Sequence, residues 1–217
     1  MWHVLLDCYP AVGSDSFEEY AFAAIGCFVA DSHAPDPDFA RRVASTAVTE
    51  KGWSVVESIE ITRIEDDSED DAIRRRLLSA ARRDGLAFDF HRVPRQRVPG
   101  HQAARGLTLA FTSAITALAT GAFTYVGSKG EQAWGYIGDE PFFPLWTDVK
   151  AAARSADEWP SCQIAMIEID QLADYLRERY VDEERMLALG FIDNTMTTFH
   201  PLALRDAANA RFSLTAS

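Results

Sequence analysis

A tryptophan-rich stretch between Trp134 and Trp159 constrains the fold more than any other feature, since it holds three of the chain's five tryptophans. Trp134 and Tyr136 favour a short strand, because aromatic rings pack well on a pleated surface. Pro141 indicates a turn, since it removes a backbone donor and keeps the preceding residue extended. The apolar run that ends at Trp146 predicts a second extended segment. These rings are therefore expected to form the centre of the C-terminal half.

A short helix is expected after Trp146. Thr147 or Asp148 can cap it, because a side-chain oxygen there accepts a hydrogen bond from an otherwise unpaired backbone N–H. Pro160 prevents the helix from continuing past Trp159. Tryptophans at its two ends are expected to clamp the helix to the sheet.

The same aromatic rings are also candidates for a ligand-binding platform that stacks a base, a sugar or a peptide proline. The candidates are Trp134, Trp146 and Trp159. Trp134 is the first choice among them, because it neighbours a glycine and a charged turn. The core interpretation is favoured, since clustered aromatic rings are more often buried than exposed.

The order of features along this half resembles one bacterial family. They are Pro144-Leu145-Trp146, a helix with Ala151–Ala153, then Glu158-Trp159, and Ile167–Asp170 before Leu172 and Leu176. They are similar to the family catalogued as domain of unknown function 2750, over about residues 104–210. That family has no established catalytic residues, so the resemblance implies a fold without implying an activity.

The charge of the chain limits its partners. It carries 33 acidic and 21 basic residues, for a net charge of −12. Such a balance disfavours nucleic acids, which need lysine and arginine for their phosphates, and also anionic membrane surfaces. We expect a protein partner, and the negative charge favours one with a basic surface.

The cysteine count and the N-terminal segment indicate a cytoplasmic protein. Cys8, Cys27 and Cys162 form neither a disulfide framework nor a zinc motif. Asp7 interrupts the apolar run near the N-terminus, and no basic region precedes that run, so no signal peptide is expected. No apolar stretch reaches the roughly 18–20 residues needed to span a bilayer.

Two α+β modules are expected. Residues 1–93 show a β-β-α-β-α-β pattern, which favours a ferredoxin-like α/β plait, although residues 20–30 are also compatible with a helix. Asp36 and Pro37 predict the start of its first helix. Gly85 predicts the end of its second, which presents Ile73, Leu77, Ala80 and Ala81 on one side. Two prolines and a glycine predict a linker over 94–102. Residues 103–212 form the second module, in which Gly127–Gly130 predicts a hairpin turn, and 213–217 form a tail.

Arginines are concentrated just after an acidic run at residues 65–71. That run lacks the glycine and glutamate spacing of a calcium loop, so a solvated loop is favoured. The arginine cluster is interpreted as a solvated helix face, or as a docking patch for a partner. The candidate patch residues are Arg74, Arg75, Arg82, Arg95 and Arg97.

No motif predicts catalysis, a metal site or a cofactor. The five histidines lack zinc-site spacing, and no phosphate loop or nucleophile elbow is present. The leading hypothesis is a non-enzymatic interaction module, of immunity or adaptor type. The alternative is a hydrolase with an unrecognised site in a cleft between the modules. His91 or His101 beside a carboxylate in a deep polar cleft would favour that enzyme.

Overall fold

The computed structural model describes residues 1–64, 72–96, 98–102, 106–117, 121–131, 133–168, 186–190 and 195–207. The chain divides into two compact units, Met1–Pro94 (unit 1) and Arg95–Ser217 (unit 2). Helices and strands are mixed in both units, in agreement with the α+β class. Among the described helices, none combines the length and apolar character that crossing a bilayer requires.

Unit 1 is built on one antiparallel sheet with strand order β3-β1-β2-β4. Its elements are β1 Trp2–Pro10, α1 Asp15–Glu19, β2 Tyr20–Val29, α2 Pro37–Glu50, β3 Trp53–Arg63, α3 Ala72–Asp84 and β4 Leu86–Pro94. The apolar run after residue 19 is therefore a strand, as favoured by its buried character, and the helix alternative is wrong. Its buried side chains pack on both faces of the sheet.

The two longer helices of unit 1 cover opposite faces of this sheet. Ala44 on α2 packs in one core cluster with Cys27. Leu78 on α3 packs in another cluster with Phe28. Successive residues of a strand point to opposite faces, so Cys27 and Phe28 separate the two clusters. A ferredoxin-like fold has the order β-α-β-β-α-β, whereas unit 1 has its two longer helices after β2 and β3, so the plait is not confirmed.

Local signals set the ends of the helices in unit 1. Asp36 Oδ1 accepts a hydrogen bond from Phe39 N at 2.7 Å, and Pro37 follows as the first helical residue of α2. The chain leaves α3 at Gly85, where φ is +85°. A side chain there would be strained, and a Cβ atom would also meet the ring of His33 at 2.5 Å. These boundaries agree with the sequence prediction.

Unit 2 contains a mixed six-stranded sheet, with order β10-β9-β7-β5-β8 and β6 paired to β7. Its elements are α4 Leu107–Ala117, β5 Ala122–Gly127, β6 Gly135–Ile137, β7 Glu140–Trp146, α5 Val149–Arg154, a 3₁₀ turn Ala156–Glu158, β8 Cys162–Ile167, β9 Met186–Gly190 and β10 Met196–Phe199. The pairing of β7 with β9 is parallel, and the other described pairings are antiparallel. Residues 201–207 are helical and begin at a proline.

The predicted turn at Gly127–Gly130 is present, and the chain returns along β5 after it. Gly130 N donates to Gly127 O at 3.0 Å, Gly127 N donates to Glu131 O at 2.7 Å, and Ala133 N donates to Tyr125 O at 3.0 Å. In the sheet, β5 pairs with β7 and β8. A second hairpin, β6–β7, follows, in which Ile137 pairs with Glu140 across two loop residues. The sequence therefore indicated the turn, whereas the sheet partners of β5 lie further along the chain.

The segment predicted as a linker, 94–102, is packed into unit 2 over its described residues from Arg95 onward. Val98 is 1% exposed, and Gln96 N donates to Thr198 Oγ1 at 3.0 Å. Gln102 O accepts from Met196 N at 3.1 Å. Paired backbone groups and a buried valine make the described residues from Arg95 to Gln102 a structural part of unit 2. The chain divides just before them, between Pro94 and Arg95.

Candidate functional site

The outer surface of α3 carries the largest concentration of positive charge on any described helix. The helix reads AIRRRLLSAARRD, with five arginines in thirteen residues. Leu78 and Ala81 are buried and anchor the helix to its sheet. Arg82 and Arg83 lie in the last turn, where cations interact favourably with the helix dipole. The helix is thus fixed by its inner face. Four of the arginines are exposed, and Arg74 is half-buried.

A groove of about 740 Å³ runs along this surface, and we call it the α3 groove. Its described lining residues all belong to α3 and are Ala72, Ile73, Arg75, Arg76, Leu77, Ser79, Ala80 and Arg83. Ile73, Leu77 and Ala80 form an apolar row at helical spacing, and the row beside it carries Arg76 and Arg83. Ala72, Arg75 and Ser79 lie beyond the arginine row.

Helical periodicity predicts that Ile73, Leu77, Ala80 and Ala81 share one side of α3, and the structure divides this set. Ala81 is buried, whereas Leu77 and Ala80 are half-buried and pack against the cluster that contains Leu78. Ile73 is in fact 65% exposed, and Leu78 is 2% exposed. Two adjacent leucines make both registers plausible in the sequence, and only the sheet beneath decides which one is buried.

The charges of the groove are only partly neutralised. Arg83 donates from Nε and Nη2 to the two carboxylate oxygens of Asp84, at 2.9 and 2.7 Å. This pair raises the pKa of Arg83 and lowers the pKa of Asp84 through their hydrogen bonds. Within the part of the chain that the structure describes, Arg75 and Arg76 have no carboxylate within ion-pair distance. The groove therefore offers positive charge to a partner.

The predicted docking-patch residues are divided between the two units of the chain. Arg75 lines the α3 groove, whereas Arg74 and Arg82 lie on the same helix outside its lining. Arg95 belongs to unit 2, where its guanidinium lies 4.4 Å above the centre of the Phe199 ring and donates to Thr198 O. Arg97 and the acidic run at 65–71 lie outside the described residues. Arg76 and Arg83 are groove residues that the patch prediction left out.

Two of the three platform candidates are buried in unit 2. Trp146 is 1% exposed and Trp159 is 9% exposed. Tyr125 stacks on Trp159 at 5.0 Å with an interplanar angle of 17°, and Trp146 meets both rings edge-on, at 5.3 and 5.4 Å. A Cβ atom at Gly190 would approach the Trp146 ring to 2.3 Å. Rings enclosed in this way have no face left for a ligand, so the platform prediction fails for these two.

Trp134 differs from the other two tryptophans. It is half-buried, and its ring meets Phe143 edge-on at 5.5 Å. The neighbouring Gly135 allows close packing, since a Cβ atom there would meet the Phe142 ring at 2.1 Å. Trp134 therefore covers the margin of the aromatic core.

A buried polar cluster lies beside this aromatic core. His101 Nε2 is 3.1 Å from Ser155 Oγ, and His101 Nδ1 is 3.7 Å from Glu158 Oε1 and 3.2 Å from Pro99 O. Burial raises the pKa of Glu158, while His101 opposes that rise. The three side chains have the order of a serine–histidine–carboxylate triad.

This cluster is closed to solvent at its two central members. His101 is 2% exposed and Ser155 is 3% exposed. A nucleophile must meet its substrate within about 3–3.5 Å, and a buried hydroxyl offers no such approach. Ser155 also ends α5, with its backbone N–H donating to Ala152 O, which explains its position structurally. The arrangement joins the 99–102 segment to the end of α5.

The described residues contain no group of three or more His, Cys, Asp or Glu side chains arranged to hold a metal ion. His91, named with His101 in the enzyme hypothesis, is exposed and lies 3.1 Å from Asp89. His200 caps the helical residues 201–207, with its Nδ1 accepting from Leu202 N at 3.2 Å. These positions give the histidines local structural partners.

No protein-family model, curated protein or solved structure matches this chain. The resemblance of residues 104–210 to the family of unknown function 2750 therefore stays a prediction. The functional assignment depends on the geometry of the chain's own residues.

Proposed function

We propose that this protein acts by binding another protein through the α3 groove, in the manner of an immunity or adaptor module. The observation that carries the proposal is a surface on one firmly anchored helix where Ile73 is exposed and where Arg75 and Arg76 have no carboxylate within ion-pair distance among the described residues. Exposed apolar side chains rimmed by charge are typical of interaction sites. The net charge of the chain favours a basic partner, but the arginines of the α3 groove favour a partner surface that presents carboxylates.

Two further expectations remain part of this proposal. A cytoplasmic location is supported by Cys8, Cys27 and Cys162, which are all free thiols, as a reducing compartment favours. Burial raises the pKa of Cys27 to about 12, which makes it unreactive at neutral pH. Kinship with the family of unknown function 2750 is supported by the Asp148-capped helix between Trp146 and Trp159. That kinship assigns no activity.

Site-specific photo-crosslinking in cells tests the binding proposal. A photoreactive residue at Ser79, which lines the α3 groove, is expected to give a discrete adduct, and one at the exposed Thr46 on α2 is not. Ile73→Ser is expected to remove the adduct from position 79. Its stability should stay within about 0.5 kcal/mol of the parent, since the side chain is exposed.

Ile59→Ser is the matched control, because Ile59 is 55% exposed on β3 and lies outside the groove. It should leave the position-79 adduct unchanged. Absence of any adduct at position 79, or the same adducts from positions 79 and 46, would contradict binding through this surface.

A hydrolase is the second candidate, and the His101–Ser155–Glu158 geometry is the observation that favours it. We expect a fluorophosphonate probe to leave the folded protein unlabelled, because Ser155 is buried. Mass spectrometry of the treated protein measures this directly, with Ser155→Ala as the control. If the parent is labelled and Ser155→Ala is not, Ser155 is a reactive nucleophile and the protein is a hydrolase.

A further inference from the structure

We infer that the α3 groove receives an acidic amphipathic helix of about three turns from the partner protein. This inference rests on the proposed function, and it names the chemistry of the partner. It follows from the length of the groove, the arrangement of its two rows and the sign of its charge.

The length of the groove matches a helix. Its lining extends from Ala72 to Arg83, which corresponds to about 17 Å at the helical rise of 1.5 Å per residue. A second helix laid alongside would cover that distance in roughly three turns. An elongated surface on a single helix suits such a segment better than a compact small molecule, which needs a concave site that encloses it.

The two rows define the side chains of the occupant. Ile73, Leu77 and Ala80 recur at i, i+4 and i+7, so they form one apolar stripe. Ile73 is exposed, whereas Leu77 and Ala80 are half-buried and also pack against the cluster of Leu78 and Phe28. Arg76 and Arg83 lie on the adjacent stripe, and Arg75 lies further round the helix. A helix with leucine-like residues on one stripe and glutamates on the next would meet both rows at once. Helix-in-groove recognition uses anchors at this same spacing.

Charge complementarity favours a protein partner over RNA. Arg75 and Arg76 offer positive charge at the groove, but the chain as a whole carries a net charge of −12. A phosphate backbone extending beyond the groove would meet that negative field, and binding of nucleic acid depends strongly on neutralised phosphates. A short acidic helix places its carboxylates only over the arginines. The net negative charge of the chain therefore opposes its binding less than it opposes binding of an extended phosphate backbone.

The test uses the full chain and three fluorescein-labelled, hydrocarbon-stapled peptides of about 14 residues, because short helices need such support in water. One peptide has a leucine stripe beside a glutamate stripe, the second has lysine in place of glutamate, and the third scrambles the first. Fluorescence anisotropy measures binding. We expect the glutamate peptide to bind about tenfold more tightly than the lysine and scrambled peptides.

The variant Arg75→Glu/Arg76→Glu is expected to reverse the preference toward the lysine peptide. Arg41→Glu/Arg42→Glu makes the same change in charge on the exposed face of α2 and is expected to keep the preference for glutamate. Circular dichroism checks that both variants are folded. Independently of any variant, raising the ionic strength from about 0.05 M to about 0.5 M should weaken binding of the glutamate peptide by the parent.

Equal or absent binding of the glutamate and lysine peptides by the parent overturns the acidic-helix inference. Tighter binding of a labelled single-stranded RNA than of the glutamate peptide, lost in Arg75→Glu/Arg76→Glu, also overturns it in favour of phosphate recognition. The crosslinking result at Ser79 is independent of these peptides. If crosslinking gives an adduct at position 79 but the parent shows no preference for the glutamate peptide, the proposed function is retained and the acidic-helix inference is wrong.

Discussion

Trp146→Ala is expected to lower the free energy of unfolding of unit 2 by about 3–5 kcal/mol. The side chain is 1% exposed and meets Tyr125 and Trp159 edge-on. Gly190 packs directly against its ring, so truncation would leave a cavity that neighbouring backbone cannot readily fill. The loss is a large fraction of the free energy of unfolding of an ordinary domain, which is about 5–15 kcal/mol.

Hydrogen exchange measured by mass spectrometry can locate this effect. Amides of β5 and β7 should lose protection in Trp146→Ala, while those of β1 and β2 in unit 1 should keep it. Trp134→Ala is the matched control, since Trp134 is half-buried and its ring contact is with Phe143. Trp134→Ala should lower the free energy of unfolding clearly less than Trp146→Ala does. Parent-like protection in Trp146→Ala would rule out the core role of this ring.

Acidification is expected to destabilise unit 2 through His200. This side chain is 6% exposed, and its Nδ1 accepts a hydrogen bond from Leu202 N, which only the unprotonated nitrogen can do. Burial lowers the pKa of His200 to about 3, with a further lowering by Arg205 and an opposing effect of Asp206. The folded protein therefore keeps a neutral imidazole under mildly acidic conditions.

The direction of the pH effect follows from the two pKa values. An unfolded histidine has a pKa of about 6.5, which lies above the folded value. As the pH falls below 6.5, the unfolded chain takes up the proton first, so stability is present above about pH 6.5 and is lost toward about pH 3. The slope approaches about 1.4 kcal/mol per pH unit, with a total on the order of 5 kcal/mol.

Urea denaturation of unit 2 at several pH values between 7 and 4 measures this dependence. His200→Asn should flatten it, because asparagine can still cap the helix but does not titrate. His91→Asn is the control, since His91 is exposed in unit 1. Carboxyl groups also titrate in this range. The difference in pH dependence of the free energy of unfolding between the parent and His200→Asn therefore gives the contribution of His200 alone. An unchanged slope in His200→Asn would exclude this histidine as the cause.

Features that depend on a few neighbouring residues were readable from the sequence. Asp36 and Pro37 predicted the start of α2, and Gly85 predicted the end of α3, because caps and positive-φ turns are local requirements. The apolar run of β2 indicated a buried strand, and the stretch from Trp146 to Trp159 indicated a short helix between aromatic residues. The arginine concentration that defines the α3 groove was also visible in the sequence.

Features that depend on distant residues were decided by the tertiary structure. Helical periodicity showed that α3 is amphipathic, but only packing against β2 and β4 selected Leu78 for the core and left Ile73 in the groove. Likewise, the sequence marked the turn after β5, whereas the pairing of β5 with β8 joins residues that lie far apart in the chain. By itself the sequence determined the local elements, their caps and the charge of one helix. The choice of buried face and of strand partner depends on burying the apolar surface of the whole unit, which no short stretch specifies.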